Sequence, residues 1–246
     1  MGLTIALSAE ELGECLGYFL ESESGRNGTL WAAMMAYQYL SGARISEVLE
    51  LRRRHICDDT GRLHPYFKRR KLKTGKQQSE HTVRIDTECE LAGIVQQWLA
   101  QSRRQFARIS GDDWAFASGF AGHPVRRHSA WSAYLRAYRF LAIDYVSRGT
   151  HCIRKTAGEM QLEINQAKCG DRGLAMKYVQ GFYGHEDEKT TSKYIRLKAA
   201  PVAEIAREHG GKIRVDKREK LDKREKLTAG EERVGQGGHV GQVGQN

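Results

Sequence analysis

Apolar positions recur at helical spacing over most of the chain and alternate in only one short region. The pattern predicts a mainly α protein with a small antiparallel β-hairpin or sheet. Ser8-Ala9-Glu10-Glu11 forms a capping box ahead of Leu12, Cys15, Leu16, Phe19 and Leu20, which mark a first amphipathic helix. Gly25 to Gly28 reads as a turn, and Trp31, Met34, Met35, Tyr37 and Leu40 mark a second helix ending near Gly42. A short helical segment through Val48, Leu49 and Leu51 follows Arg44. Leu63 to Lys68 and Thr82 to Ile85 read as strands flanking Arg69-Arg70-Lys71-Leu72-Lys73-Thr74-Gly75-Lys76, where Gly75 supplies the turn of a cationic hairpin.

Downstream, Asp86 or Thr87 is placed to cap a helix carrying Leu91, Ile94, Val95, Trp98 and Leu99. Trp114 to Ala117 reads as a short buried segment, Gly119 to Pro124 as a turn, and Trp131, Tyr134, Leu135, Tyr138 and Leu141 as one face of a helix. Thr150 is placed to cap the next helix, and Leu174, Tyr178 and Val179 mark another beyond the polar segment Asn165 to Gly173. Pro201 fits the first turn of a helix through Val202, Ile205 and Ala206 that is too short and sparsely apolar to stand alone. After Gly210-Gly211, Asp216-Lys217-Arg218-Glu219-Lys220-Leu221 repeats as Asp222 to Leu227, ahead of a Gly/Gln-rich tail. The expected organisation is one folded domain over residues 1–210 and a charged repeat with a disordered tail over 211–246.

Charge narrows the class of partner. The chain holds 40 Lys and Arg against 30 Asp and Glu, a formal net charge of +10, which favours a polyanion such as nucleic acid. Cationic side chains cluster in three runs, so Arg52, Arg53, Arg70, Lys71, Lys76, Arg126 and Arg127 are the expected contacts to DNA. The last two precede a helix, whose first N–H groups suit a phosphate. Five scattered cysteines without a Cys-x-x-Cys pair read as thiols in a reducing compartment. His123 and His128 lack the cysteine or carboxylate that would complete a metal-ligand set. No apolar run approaches the ~20 residues that span a bilayer and no leader pattern opens the chain, so a soluble, cytoplasmic protein is expected.

The candidate chemistry lies between His151 and Tyr194. His151 and Arg154 share a helix face at three-residue spacing, Gly184-His185 follows, and Tyr194 stands nine residues beyond that histidine. Far upstream, Gly42-Ala43-Arg44-Ile45-Ser46-Glu47 brings a second arginine and a glutamate three residues apart. A tyrosine hydroxyl attacks a phosphodiester only when its proton is removed, because at a pKa near ~10 only about 0.1% is phenolate at neutral pH. Arginine suits the charge that develops on the phosphate, since its planar fork meets two oxygens and keeps its proton.

In this order and spacing, the motifs across roughly residues 8 to 198 resemble the tyrosine recombinase (phage integrase) family. The resemblance implies the catalytic-domain fold of these DNA breaking-rejoining enzymes. It implies that Arg44 and Arg154 clamp the scissile phosphate, that Glu47 orients the basic groups, and that His151 is the general acid/base. It further implies that His185 donates to a non-bridging oxygen and that Tyr194 is the nucleophile, forming a 3′-phosphotyrosine. A hairpin lysine protonates the leaving 5′ oxygen; Lys73 is the best match, with Lys71 and Lys76 the other candidates. Bond energy held in the phosphotyrosine means that no cofactor, neither ATP nor a metal, is implied. The implied partner is double-stranded DNA, with four protomers on two sites, the helix after Tyr194 docked on a neighbour, and an accessory DNA-binding protein where required. The setting would be a bacterial cell, on the nucleoid or a plasmid.

Two departures from the family accompany the resemblance. The chain reads as a short form without the N-terminal core-binding domain. It also carries extra residues between Arg154 and His185, assigned to Asn165–Gly173. Inversion, integration, excision and multimer resolution all remain open as outcomes. A type IB-like topoisomerase and a catalytically silent DNA-binding regulator are the competing readings.

Overall fold

The second apolar segment becomes the helix on which the others pack. In the computed structural model, which describes residues 4–21, 26–70, 80–105, 110–118, 123–146, 148–185, 190–192 and 195, the chain folds as seven α-helices and two short hairpins. Helix α2 (Arg26–Ser41) buries every side chain from Leu30 to Gln38. A helix apolar on all sides belongs in the middle of a fold. It is covered by α1 (Ala9–Glu21), by α4 (Glu90–Gln105) and by α6 (Thr150–Cys169). Its one buried amide is satisfied: Gln38 Nε2 donates to the Thr150 carbonyl at 2.7 Å, and Tyr134 on α5 (Arg127–Phe140) donates to Gln38 Oε1 at 3.4 Å. The core of the fold therefore fixes the first turn of the helix that carries His151.

The capping box forms as the sequence predicts. Ser8 N–H donates to Glu11 Oε2 at 2.7 Å and Glu11 N–H to Ser8 Oγ at 3.0 Å, each satisfying a donor at the start of α1. Strands β1 (Tyr66–Arg70) and β2 (Glu80–Arg84) pair antiparallel with Phe67 opposite Val83, both buried, while Tyr66, Lys68, Thr82 and Arg84 face solvent. Phe67 lies 5.8 Å from the ring of Tyr37, which seats the hairpin on α2. A second antiparallel pair joins β3 (Ala117–Ser118) and β4 (His123–Pro124), so the last two residues of the expected turn 119–124 are strand, and 119–122 lie outside the described residues.

Several boundaries differ from the sequence reading. The first strand starts three residues late, because Leu63 pairs in a bridge with Cys57 instead, and the second starts two residues early, where Glu80 pairs with Arg70. Gly28 lies inside α2 rather than in a turn. Asp86 accepts from Glu88 N–H at 3.1 Å one turn ahead of α4 and does not cap it. Gly149, not Thr150, is the N-cap of α6, and Thr150 is already helical and buried. The polar segment 165–173 is mostly helix: α6 runs 20 residues to Cys169, and Gly170 closes it at φ +67°, where glycine carries no Cβ penalty. Asp171 then caps α7 (Arg172–Tyr183) at once, its Oδ1 accepting from Gly173 N–H at 2.6 Å and Leu174 N–H at 3.1 Å. Residues 165–169 thus continue α6, and only Gly170 and Asp171 separate it from α7. By compactness the chain separates into residues 1–215 and 216–246, and every described residue belongs to the first unit. Among the described residues no helix is long and apolar enough to cross a membrane.

Candidate active site

The site forms where three chain segments distant in sequence meet. The first is the corner after α2. Gly42 ends that helix at φ +57°, and the ring of Phe182 occupies the space a Cβ there would need. Arg44 then precedes α3 (Ile45–Leu49): its N–H donates to Glu47 Oε2 at 2.7 Å and its Nη1 to Glu47 Oε1 at 2.9 Å. Glu47 therefore fastens Arg44 at both ends, leaving its side chain half exposed at 51%. A cation so held is preorganised for an anion arriving from solvent.

The second segment is the first half of α6. Arg154 is wholly buried at 0% exposure, an unusual position for arginine unless its charge is matched. Its Nη1 donates to the Gly42 carbonyl and stands 4.0 Å from Glu47 Oε2, its guanidinium lies 4.5 Å over the Tyr183 ring, and its Nη2 stands 3.4 Å from His185 Nε2. The next residues are strapped from the other side. Lys155 Nζ donates to the Thr4 carbonyl at 2.9 Å, and Thr156 Oγ1 accepts from Leu7 N–H at 2.8 Å.

One turn ahead, His151 is exposed at its outer edge, yet its imidazole is held down at about 4. Partial desolvation is the largest cause, followed by the cations of Arg154, Arg44 and Arg127; Glu47 opposes them. His151 is thus neutral at pH 7 and able to accept a proton. Those same electrostatic neighbours tie His151 to the two expected clamp arginines.

The third segment is the end of α7. Gly184 closes the helix in the left-handed region at φ +63°, and His185 N–H returns to the Gln180 carbonyl at 3.1 Å. Gln180 Nε2 donates to the His185 carbonyl, also at 3.1 Å. The His185 ring stacks on Tyr183 with centroids 5.1 Å apart, and Nδ1 lies 3.0 Å from Thr191 Oγ1. A guanidinium only donates. His185 Nε2 therefore presents its lone pair to Arg154, and the proton sits on Nδ1 beside Thr191.

Of the residues singled out in the sequence, Arg44, Glu47, His151, Arg154 and His185 come together here. Lys73 and Tyr194 lie outside the described residues, as do Lys71 and Lys76, and the side chain of Arg70. Within the basic run 52–54 the side chains part ways. Arg53 is 5% exposed and turns inward, donating to Ser102 Oγ at 2.9 Å and the Leu99 carbonyl at 3.2 Å; it is corrected from a DNA contact to a structural cation. Arg52 stacks 3.4 Å over Trp114 and donates to the Asp112 carbonyl at 2.8 Å. Arg126 and Arg127 are exposed at the start of α5. Sequence reasoning missed Gln180, Thr191 and the Gly42 carbonyl. Tyr183 belongs to the site as well, through its hydrogen bond to the carbonyl of Arg154 at 2.6 Å. The only sequence signal for Tyr183 was its place two residues before His185.

The phage integrase family matches residues 18–200, three quarters of the chain. No curated protein sequence matches significantly. Among solved structures, the XerH site-specific recombinase bound to palindromic difH substrate, a post-cleavage complex, is similar at a TM-score of 0.57 and 18% identity, over 78% of this chain and 50% of that one. The XerA recombinase is similar at 0.56 and 16%, over 80% and 62%. A lambda integrase dimer bound to a COC′ core site is similar at 0.51 and 15%, over 80% and 49%. The chain thus spans about half the length of the XerH chain it matches. At these identities the likeness is one of fold, and the fold is mostly helical with small antiparallel sheets in both hairpin regions.

Proposed function

The chain belongs to the phage integrase family, and from that premise we propose that it is a tyrosine-type site-specific recombinase that cuts and rejoins double-stranded DNA. The observation that carries the reading is the buried Arg154, held between Glu47, the Gly42 carbonyl and His185, with Arg44 fastened beside the same glutamate. Burying a guanidinium with its fork aimed at a histidine has little structural return compared with an apolar side chain of similar volume. A phosphate accounts for it, because two convergent arginines stabilise the charge that grows on the non-bridging oxygens.

In the proposed mechanism Tyr194 attacks the scissile phosphate. Neutral His151 takes up its proton, Arg44 and Arg154 hold the non-bridging oxygens, and Lys73 protonates the departing 5′ oxygen. The phosphoryl group then resides on Tyr194 as a 3′-phosphotyrosine. A 5′ hydroxyl from the partner strand attacks it and returns the tyrosine. His185 contributes as a donor to the phosphate once its Nε2 acquires a proton, which an incoming dianionic transition state favours. Four protomers on two DNA sites exchange strands in pairs, and site orientation decides between inversion, integration and excision, or resolution.

The test is covalent trapping on DNA of the replicon that encodes the chain, denatured and resolved beside Tyr194→Phe. A protein–DNA adduct from the parent alone supports the reading, and sequencing its DNA end gives the site. Relaxed plasmid without recombinant junctions replaces recombination by topoisomerase activity. DNA binding with no adduct from either protein overturns the catalytic reading in favour of a binding module.

A further inference from the structure

The turn from Phe182 to His185 meets both the buried Arg154 and the Gly42 corner, and Tyr183 is its centre. The phenol hydroxyl donates to the Arg154 carbonyl at 2.6 Å, the ring lies 4.5 Å beneath the Arg154 guanidinium, and the His185 imidazole stacks on it at 5.1 Å and 30°. Tyr183 is 1% exposed. Its hydroxyl fills the space above Gly158, where any Cβ would collide with it. Gly158 lies one helical turn after Arg154, so the same helix supplies both the arginine and the opening that admits the tyrosine. Phe182 beside it closes on Gly42, whose carbonyl accepts from Arg154.

We infer that Tyr183 is a positioning residue for the strand-cleavage step, one that sets Arg154 and His185 in register with each other through its hydroxyl and its ring, in a seat that Gly158 leaves open. The inference rests on the recombinase reading above. An apolar residue at 183 would fill the core of α6 and α7 equally well, but it has no hydroxyl for the helix and no π-face to hold a guanidinium and an imidazole together. The two phosphate-facing groups come from elements 31 positions apart in sequence, and this ring is in contact with both. A misplacement of such groups by about 1 Å is enough to lower a rate on the order of a hundredfold.

The experiment compares the parent chain with Tyr183→Phe, Tyr183→Leu, Gly158→Ala and the double variant Gly158→Ala/Tyr183→Leu. It reads adduct formation on a nicked DNA substrate at saturating protein, the dissociation constant for the same DNA, and thermal melting. Tyr183→Phe keeps the ring and is expected to slow cleavage by on the order of tenfold, the scale of one lost hydrogen bond. Tyr183→Leu loses ring and hydroxyl and is expected to slow it by on the order of a hundredfold with DNA affinity unchanged. Gly158→Ala displaces the tyrosine and reproduces the leucine effect, and the double variant is no slower than either single one, since both remove the same contact. In proton NMR of the DNA-free protein, the ring-current shift of the His185 imidazole disappears in Tyr183→Leu and stays in Tyr183→Phe. If folded Tyr183→Leu cleaves at the parent rate, or its losses follow only the melting temperature, the positioning role is overturned. The parent's own adduct separates the two ideas: its absence removes the recombinase reading, while a normal parent beside an unaffected variant removes this inference alone.

Discussion

Arg154 Nη2 stands 3.4 Å from His185 Nε2, and neither residue reaches the other through its own element. The contact depends on α6 and α7 being held side by side by Leu162, Val179, Met176 and Ile195, so the packing of two helices sets the geometry of the two groups. Because arginine has no lone pair to offer, the histidine Nε2 is the acceptor, and its Nδ1–H donates to Thr191 Oγ1. A phosphate entering between them would take over the donors that Arg154 now directs at His185.

The first prediction follows from that geometry. Arg154→Lys keeps a positive charge but loses the fork that reaches the Gly42 carbonyl and His185 together. Adduct formation on nicked DNA should fall ~10²–10³-fold, the usual cost of one preorganised donor, with DNA affinity little changed. A rate within tenfold of the parent, in a variant that melts normally, would remove Arg154 from the clamp.

The second concerns pH. His151 sits at about 4 in the folded chain, below an ordinary value of about 6.5, chiefly through desolvation and then through Arg154, Arg44 and Arg127. Between those two values the unfolded chain binds the proton and the folded chain does not, so acidification favours unfolding. The contribution of this residue to stability is intact above pH ~6.5 and is lost progressively as the pH falls towards about 4, beyond which both states are protonated. The ring is partly exposed, so solvent screening keeps the effect small. Urea midpoints at pH 7 and pH 5 should differ less in His151→Gln than in the parent, and the histidine's NMR titration should be centred near 4. A midpoint at or above 6.5 would sink the claim that desolvation and the neighbouring cations hold His151 neutral.

The elements were legible where local chemistry alone decides them. The Ser8/Glu11 box, the apolar α2 and the Phe67/Val83 alternation all appear where the residues put them. Boundaries were less legible: Gly149 outdoes its neighbour Thr150 as N-cap, and α6 continues through the polar residues 165–169 until Gly170 ends it. The charged members of the site were legible as residue types at fixed spacing. Their supports were not, because Tyr183 meeting Gly158, or Gln38 holding Thr150, depends on how helices pack and has no local signature. Arg53 shows the converse, since a triplet of arginines gives no indication of which one turns inward.

The third prediction tests the corner that carries Arg44. Gly42 has φ +57° and the Phe182 ring where a Cβ would go. Gly42→Ala therefore adds left-handed strain to a collision, and should cost about 1–3 kcal/mol of stability by the usual scale of overpacking. Thermal melting and urea unfolding both measure it. Since the displaced carbonyl is also the acceptor of Arg154, adduct formation should fall even at temperatures where the variant is fully folded. A variant as stable as the parent would mean that the corner relaxes freely and does not seat the arginine.

The last prediction divides the cationic residues by what they do. Arg53 is buried against Ser102 and Leu99, and burial lowers its affinity for its proton. Arg53→Met removes hydrogen bonds from the 99–102 turn of α4 and is expected to lower stability by about 1–3 kcal/mol, the cost of leaving buried polar groups unsatisfied, with no change in the salt dependence of DNA binding. Arg126→Ala and Arg127→Ala act the other way. Both side chains are exposed at the first turn of α5, so their loss should leave melting unaltered while each lowers the slope of log affinity against log salt by about 1, the signature of one phosphate contact. Arg127 carries a second consequence, because its charge is one of those holding His151 neutral. Its removal should raise the His151 titration midpoint, whereas Arg126→Ala should leave it in place. Titrating both variants by NMR beside their salt slopes separates a residue that only binds DNA from one that also tunes the proton acceptor. Identical midpoints in the two variants would break that link.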